Sequence, residues 1–375
     1  MRRAVLHNLR TLRLRPVFQT KETMIRLVHA AMRADVPVLL WGAPGVGKTA
    51  IIRALARKEG AHVETLIGST LDPTDAGGIM VPSEDNVRLL APPWAQRMSA
   101  ALKSGSQAWL FLDELNTAPR SVQASLLRVV QERVVANVDL SGCRVIAAAN
   151  PPALAADGMD LSAATANRWS HLDWEPDPVA WCDGMLNGWG KPQPKALAEA
   201  RATLASYISR NSNELLRVPE DVSEQGRGWP SPRSLDNLSK VIAKMPGGFK
   251  NVHAQKQYVA LAGAAAADTF FGWIDAMDLP DPEEVLANPL THELPNTRDA
   301  VETTLYACIS NVFGDEKRMA EKWDALWTVI RRAHADVALA SAGAAIRARD
   351  EHNPGLPMPE LVIELKSKLD MAVQA

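Results

Sequence analysis

Cysteine is scarce in this 375-residue chain. The three present, Cys143, Cys182 and Cys308, lie far apart with no CxxC or Cys/His spacing. That pattern argues against a disulfide framework and a zinc site and points to buried free thiols in a reducing compartment. Net charge is scarce too, at −2, so no global field favours nucleic acid or an acidic membrane surface. Long apolar runs are missing. The most apolar stretch, Val259 to Ala267, is Ala-rich and closed by Asp268, far short of the roughly 20 residues that a membrane-spanning helix needs. Arg2, Arg3, Arg10, Arg13 and Arg15 crowd the N-terminus, but no apolar stretch follows them, so a secretory signal is not expected. Residues 1–19 read as a solvated basic tail. Internal repeats and low-complexity tracts are lacking. The expectation is a soluble, cytoplasmic protein.

What is present is a change of character along the chain. Met24, Ile25, Val28, Ala31 and Met32 recur at helical spacing, with Thr20 as the N-cap. Apolar runs at Val36–Trp41, His62–Ile67, Ala108–Leu112 and Arg144–Ala149 alternate with helical patterns at Thr49–Lys58, Ala95–Ser104 and Ser121–Arg133. Alternation of this kind predicts an α/β fold, a parallel sheet covered by helices on both faces. After Trp174 the β-branched runs stop and Ala/Leu/Glu/Arg-rich helical segments take over, so an all-α region is expected to the end of the chain. The boundary falls near Pro176–Pro178. This gives a core over 20–175, a helical lid over 176–278 and a helical extension over 279–375.

The segment Gly42-Ala43-Pro44-Gly45-Val46-Gly47-Lys48-Thr49 fits GxxxxGK[ST] at every fixed position. A loop of this kind wraps phosphate with its backbone N–H groups, and its glycines permit close approach and positive φ. The helix that starts near Thr49 aims its positive end at the same anion. Gly42 through Ala50 thus form the expected cradle for ATP. Lys48 supplies charge to the β- and γ-phosphates, and the Thr49 hydroxyl ligates Mg²⁺. The motif follows a predicted strand and opens a predicted helix, which is the arrangement the chemistry requires.

Trp109-Leu110-Phe111-Leu112-Asp113-Glu114 is an apolar strand that ends in two carboxylates. Such an ending places acids at the carboxyl edge of the sheet, where open α/β folds bind ligands. Asp113 is the candidate Mg²⁺ holder, and Glu114 is the candidate base for an attacking water. Strand-end acids also cap the segments that follow them, and it is the complete phosphate loop upstream that favours the catalytic reading. Asp72 and Asp75, in a Pro/Gly-rich loop, are expected to make turns and caps. Trp169, Trp174, Trp181 and Trp189 cluster near the boundary and are expected to pack cores.

Taken together, several motifs resemble the MoxR branch of the AAA+ superfamily in order and spacing. They are the phosphate loop, Leu112-Asp113-Glu114-Leu115-Asn116, Ala148-Ala149-Asn150-Pro151-Pro152, Ala166-Asn167-Arg168-Trp169 and Ser231-Pro232-Arg233-Ser234. Leu71 to Gly78 resembles the family segment that carries an inserted element. The resemblance covers roughly residues 20 to 240. It implies an AAA+ core and further roles: Asn150 as sensor 1, Arg168 as an arginine finger reaching a neighbour's γ-phosphate, and Arg233 as sensor 2 on the lid. It also implies a homo-oligomeric, hexameric ring that hydrolyses Mg·ATP to remodel a client protein in chaperone-like fashion, with a von Willebrand factor A partner. Two departures stand out. Asn167 and Trp169 flank Arg168 where the family commonly has an acid and a Phe, and the segment between Arg133 and Arg144 is short for the family's hairpin. Two other readings stay open on the residues: a nucleotide-gated binding module with slow hydrolysis, and a nucleic-acid motor, which near-neutral charge disfavours.

Overall fold

The computed structural model describes residues 21–83, 86–154, 161–277, 279–315 and 317–362. The basic tail, the N-cap expected at Thr20 and the lid–extension boundary at 278 lie outside the described residues. The chain divides into two compact units at Glu175/Pro176.

In the first unit the elements run α1 (Lys21–Arg33), β1 (Val38–Trp41), α2 (Lys48–Lys58), β2 (His62–Ile67), α3 (Pro73–Gly77), β3 (Ile79–Pro82), β4 (Val87–Leu90), α4 (Pro93–Lys103), β5 (Ala108–Asp113), α5 (Arg120–Glu132), β6 (Val134–Val135), β7 (Val138–Asp139), β8 (Arg144–Ala149), α6 (Ala163–Ala166) and β9 (Ser170–Asp173). Five strands form one sheet in the order β2-β5-β8-β1-β9, and every pairing is parallel. β5 and β8 are buried along nearly their whole length, as a parallel sheet with two covered faces requires. On one face Leu110, Leu112, Val145 and Ala147 share a core with Trp94 and Met98 of α4 and Val122, Leu126 and Val129 of α5. The alternate residues Trp109, Phe111, Ile146 and Ala148 are buried as well, and α2 packs along β2 and β5.

Two small hairpins, β3–β4 and β6–β7, stand outside this sheet. Gly78 seats the first: a Cβ there would fall 2.5 Å from the Leu90 carbonyl oxygen and 3.3 Å from Cβ of Ala136 in the second. Asp72 and Asp75 make the capping box of α3, with the Asp72 amide donating to Asp75 Oδ2 at 3.0 Å, so their structural reading holds.

Among its described residues the second unit is all helical: α7 (Pro178–Leu186), α8 (Lys195–Arg210), α9 (Val222–Gln225), α10 (Pro232–Ile242), α11 (Ala254–Ala262), α12 (Ala264–Asp275), α13 (Pro282–Ala287), α14 (Arg298–Phe313), α15 (Met319–Arg332) and α16 (Ala335–His352). Residues on both sides of position 278 feed one core, in which Tyr207, Phe270, Leu305, Trp323 and Ile330 all take part. Of the four boundary tryptophans, Trp169, Trp174 and Trp181 are buried, whereas Trp189 is 45% exposed. Among the described residues no helix is long and apolar enough to cross a membrane. All three cysteines are free and buried, and burial pushes the Cys143 thiol up to about 11, which leaves it unreactive.

Candidate nucleotide site

β1 delivers the chain to Gly42 at the carboxyl edge of the sheet, and α2 leaves from Gly47. Only glycine fits at the entrance, because a Cβ on Gly42 would fall 2.4 Å from the Trp174 carbonyl oxygen. Gly47 caps α2 with φ 93°, a conformation that side-chain-bearing residues rarely adopt. Ala43, Gly45 and Val46 are buried and Pro44 half-buried, while Ala50 in the first turn of α2 is exposed. Trp174 secures the loop from β9, its indole Nε1 donating to the Val46 carbonyl at 3.3 Å.

The Lys48 ammonium is buried. It donates to the carbonyls of Gly42 at 2.6 Å and Ala43 at 3.0 Å, and to Asn150 Oδ1 at 2.9 Å. The Thr49 hydroxyl donates to Asp113 Oδ2 at 2.7 Å. Side chains from β5, β8 and the β1–α2 loop thus converge, as the strand order demands: β8 lies between β1 and β5, and all three end at one edge. The oxygens of Thr49 and Asp113 suit a small hard cation, since Mg²⁺ takes one or two protein oxygens and completes its shell with phosphate and water. A metal site made of three or more His, Cys, Asp or Glu side chains does not occur among the described residues.

Glu114 leaves the sheet in the left-handed conformation, φ 55° and ψ 41°. That turn swings its side chain toward the end of β2, where the Ser69 hydroxyl donates to Glu114 Oε2 at 2.9 Å. Gly68 permits the approach, because a Cβ there would fall 2.4 Å from the Glu114 carbonyl oxygen. Neither Ser69 nor a role for Asn116 follows from the sequence alone. β2 and β5 had first to be neighbours before Ser69, two residues past β2, could be placed beside Glu114.

Arg168 stands apart from this cluster. It precedes β9, whose Ser170 pairs with Val38 at the amino end of β1. The phosphate loop leaves the other end, about 13 Å away along the strand at about 3.3 Å per residue. Here Arg168 Nε donates to Gln131 Oε1 of α5 at 2.9 Å, and its guanidinium also contacts the Ala164 carbonyl. Arg233 is exposed in the first turn of α10 in the second unit, where Ser231 and Ser234 form the capping box.

The first unit is similar to known proteins. A model of the AAA domain, dynein-related subfamily, matches residues 37–169. The chain is 37% identical over 115 residues to ATPase family gene 2 protein homolog B of Rattus norvegicus, a match covering 30% of this chain and 14% of that one. It is 34% identical over 116 residues to protein MoxR of Methylorubrum extorquens, covering 31% and 32% of the two chains. The chain therefore spans about a third or less of the length of these relatives. A solved structure of a putative ATPase from Cytophaga hutchinsonii aligns over 67% of this chain and 88% of that one, at 16% identity and a TM-score of 0.30. The resemblance to MoxR-type ATPases is thereby borne out over this segment, as is the expectation of a parallel sheet.

Proposed function

We propose that this chain binds Mg·ATP at Gly42–Ala50, hydrolyses it between copies of itself, and spends the cycle on remodelling a client protein. The observation that carries the reading is the bonded set Lys48, Thr49, Asp113 and Asn150 at one sheet edge, with Arg168 at the opposite edge.

The roles follow from position. Backbone N–H groups of the loop and the start of α2 hold the phosphates. Lys48 exchanges its loop carbonyls for phosphate oxygens and neutralises charge. Thr49 and Asp113 would hold Mg²⁺, which when bound draws charge from the β- and γ-oxygens. Glu114 takes a proton from the water whose oxygen attacks the γ-phosphorus as the bond to the bridging oxygen breaks. Asn150, bonded to Lys48, orients that water. Arg168 sits too far along the strand to serve its own nucleotide, so it serves a neighbour's. A surface that gives an arginine on one side and a nucleotide on the other is head-to-tail, and repetition closes it into a ring. Six subunits, Arg233 as sensor 2, a von Willebrand factor A partner and chaperone-like action on a client follow the MoxR resemblance.

Subunit mixing tests this reading. Arg168→Ala and Glu114→Gln chains should each turn over slowly when alone. Mixed in equal amounts, they form some interfaces with an intact Glu114 and an intact incoming Arg168, and turnover should recover. Mixtures no faster than either parent would overturn the shared site.

A further inference from the structure

The β5–β8 ladder ends before the site does. Its last pair is Leu112 with Ala147, and Glu114 then carries β5 away in the left-handed conformation. β8 runs on to Ala149, whose carbonyl faces the other neighbour and accepts from the Gly42 amide at 3.2 Å. Alternate residues of a strand in a parallel sheet bond to opposite neighbours, so the N–H and C=O of Asn150 point to the side that β5 has vacated. Both find the same side chain. Asn116 Nδ2 donates to the Asn150 carbonyl at 2.8 Å, and the Asn150 amide donates to Asn116 Oδ1 at 3.3 Å. Asn116 is 0% exposed, and a carboxamide offers the one donor and one acceptor of a peptide group.

We propose that Asn116 is a positioning residue: its carboxamide stands in for the missing strand partner and fixes Asn150 relative to the turn that bears Glu114. The inference rests on the reading of Asn150 and Glu114 as parts of the hydrolytic site, and it adds how their spacing is set. Asn116 lies two residues after Glu114 in the 3-10 turn Leu115–Thr117. Thr117 closes that turn through its amide and hydroxyl, which donate to the Glu114 carbonyl at 3.0 and 2.8 Å. One brace thus ties the base-bearing turn to the residue that also contacts Lys48. The Asn116 carboxamide bonds to the backbone of Asn150. It acts through Asn150.

The test is a double-mutant cycle on the full chain, read by steady-state phosphate release, ATP affinity and thermal unfolding. Asn116→Ala should lower kcat by about 10- to 100-fold, the scale of a misplacement near 1 Å, while KM and the Kd for ATP stay within about twofold. In an Asn150→Ala background the same substitution should change kcat by less than about twofold, because no side-chain amide remains to be placed. Asn116→Asp, of equal size, keeps the acceptor and sets an oxygen against the Asn150 carbonyl, so its kcat should also fall. Unchanged kcat in Asn116→Ala would overturn the proposal, and so would full additivity with Asn150→Ala. Loss of folding in both Asn116 variants would show a role in the fold alone and overturn it equally. A wild-type chain without turnover would instead defeat the reading of the site.

Discussion

The Thr49 hydroxyl stands 2.7 Å from the Asp113 carboxylate, two residues 64 apart in sequence. β8 separates their strands, so the bond forms only when β1, β8 and β5 lie in register at one edge. It brings together two hard oxygens of different origin, one from the phosphate loop and one from the strand tip. Magnesium dependence should therefore pass through both. Chelation with EDTA should abolish turnover. Asp113→Asn should raise the Mg²⁺ concentration needed for half-maximal turnover and lower kcat by about 100-fold or more, given the several kcal/mol a metal contributes to transition-state charge. A magnesium titration of the variant that overlays the wild type would refute this role.

Ser69 ties up one oxygen of Glu114. A hydrogen bond to a charged group is worth about 1.5–3 kcal/mol, and this one holds the carboxylate at the end of β2. Ser69→Ala should free the base and raise basal turnover by up to about tenfold, while Ser69→Thr, which keeps the hydroxyl, should behave as wild type. A fall in turnover with Ser69→Ala would mean that the contact serves catalysis rather than restrains it.

Much of the site was legible before the fold was. GxxxxGK[ST] is a pattern of fixed spacing, and the strands His62–Ile67 and Arg144–Ala149 match their apolar runs end to end. β9 escaped notice because Ser-His-Leu-Asp carries one apolar residue and no run. The contacts of Ser69 and Asn116 escaped because each depends on strand order, and no local pattern encodes which parallel strand lies beside which. The C-terminal half hid its packing for a related reason. α14 is buried on nearly every side, so it shows no stripe that would tell which helices surround it.

Acid should loosen the edge of the sheet. Glu64 on β2 accepts from Arg97 Nε and Nη2 of α4, each at 2.8 Å, and contacts His62 at 2.9 Å. The hydrogen bonds from Arg97, opposed by burial, hold the Glu64 carboxyl below its usual range. A carboxyl whose folded pKa is depressed stabilises the fold above its unfolded value, about 4.3, and that contribution fades as pH falls through the folded value. Arg97→Ala should therefore lower the Tm near pH 7, and the gap from wild type should shrink toward zero as acid protonates Glu64 in the folded chain. A gap that persists in acid would assign the loss to packing of the Arg97 stem instead.

The most direct measurement of the central claim is phosphate release by purified wild-type and Glu114→Gln chains under saturating Mg·ATP, with ATP binding measured on the same samples. Glu114→Gln should bind ATP within about twofold of wild type and turn over at least about 100-fold more slowly, the scale of a lost general base. Equal turnover in the two chains, or no ATP bound by either, would contradict the account.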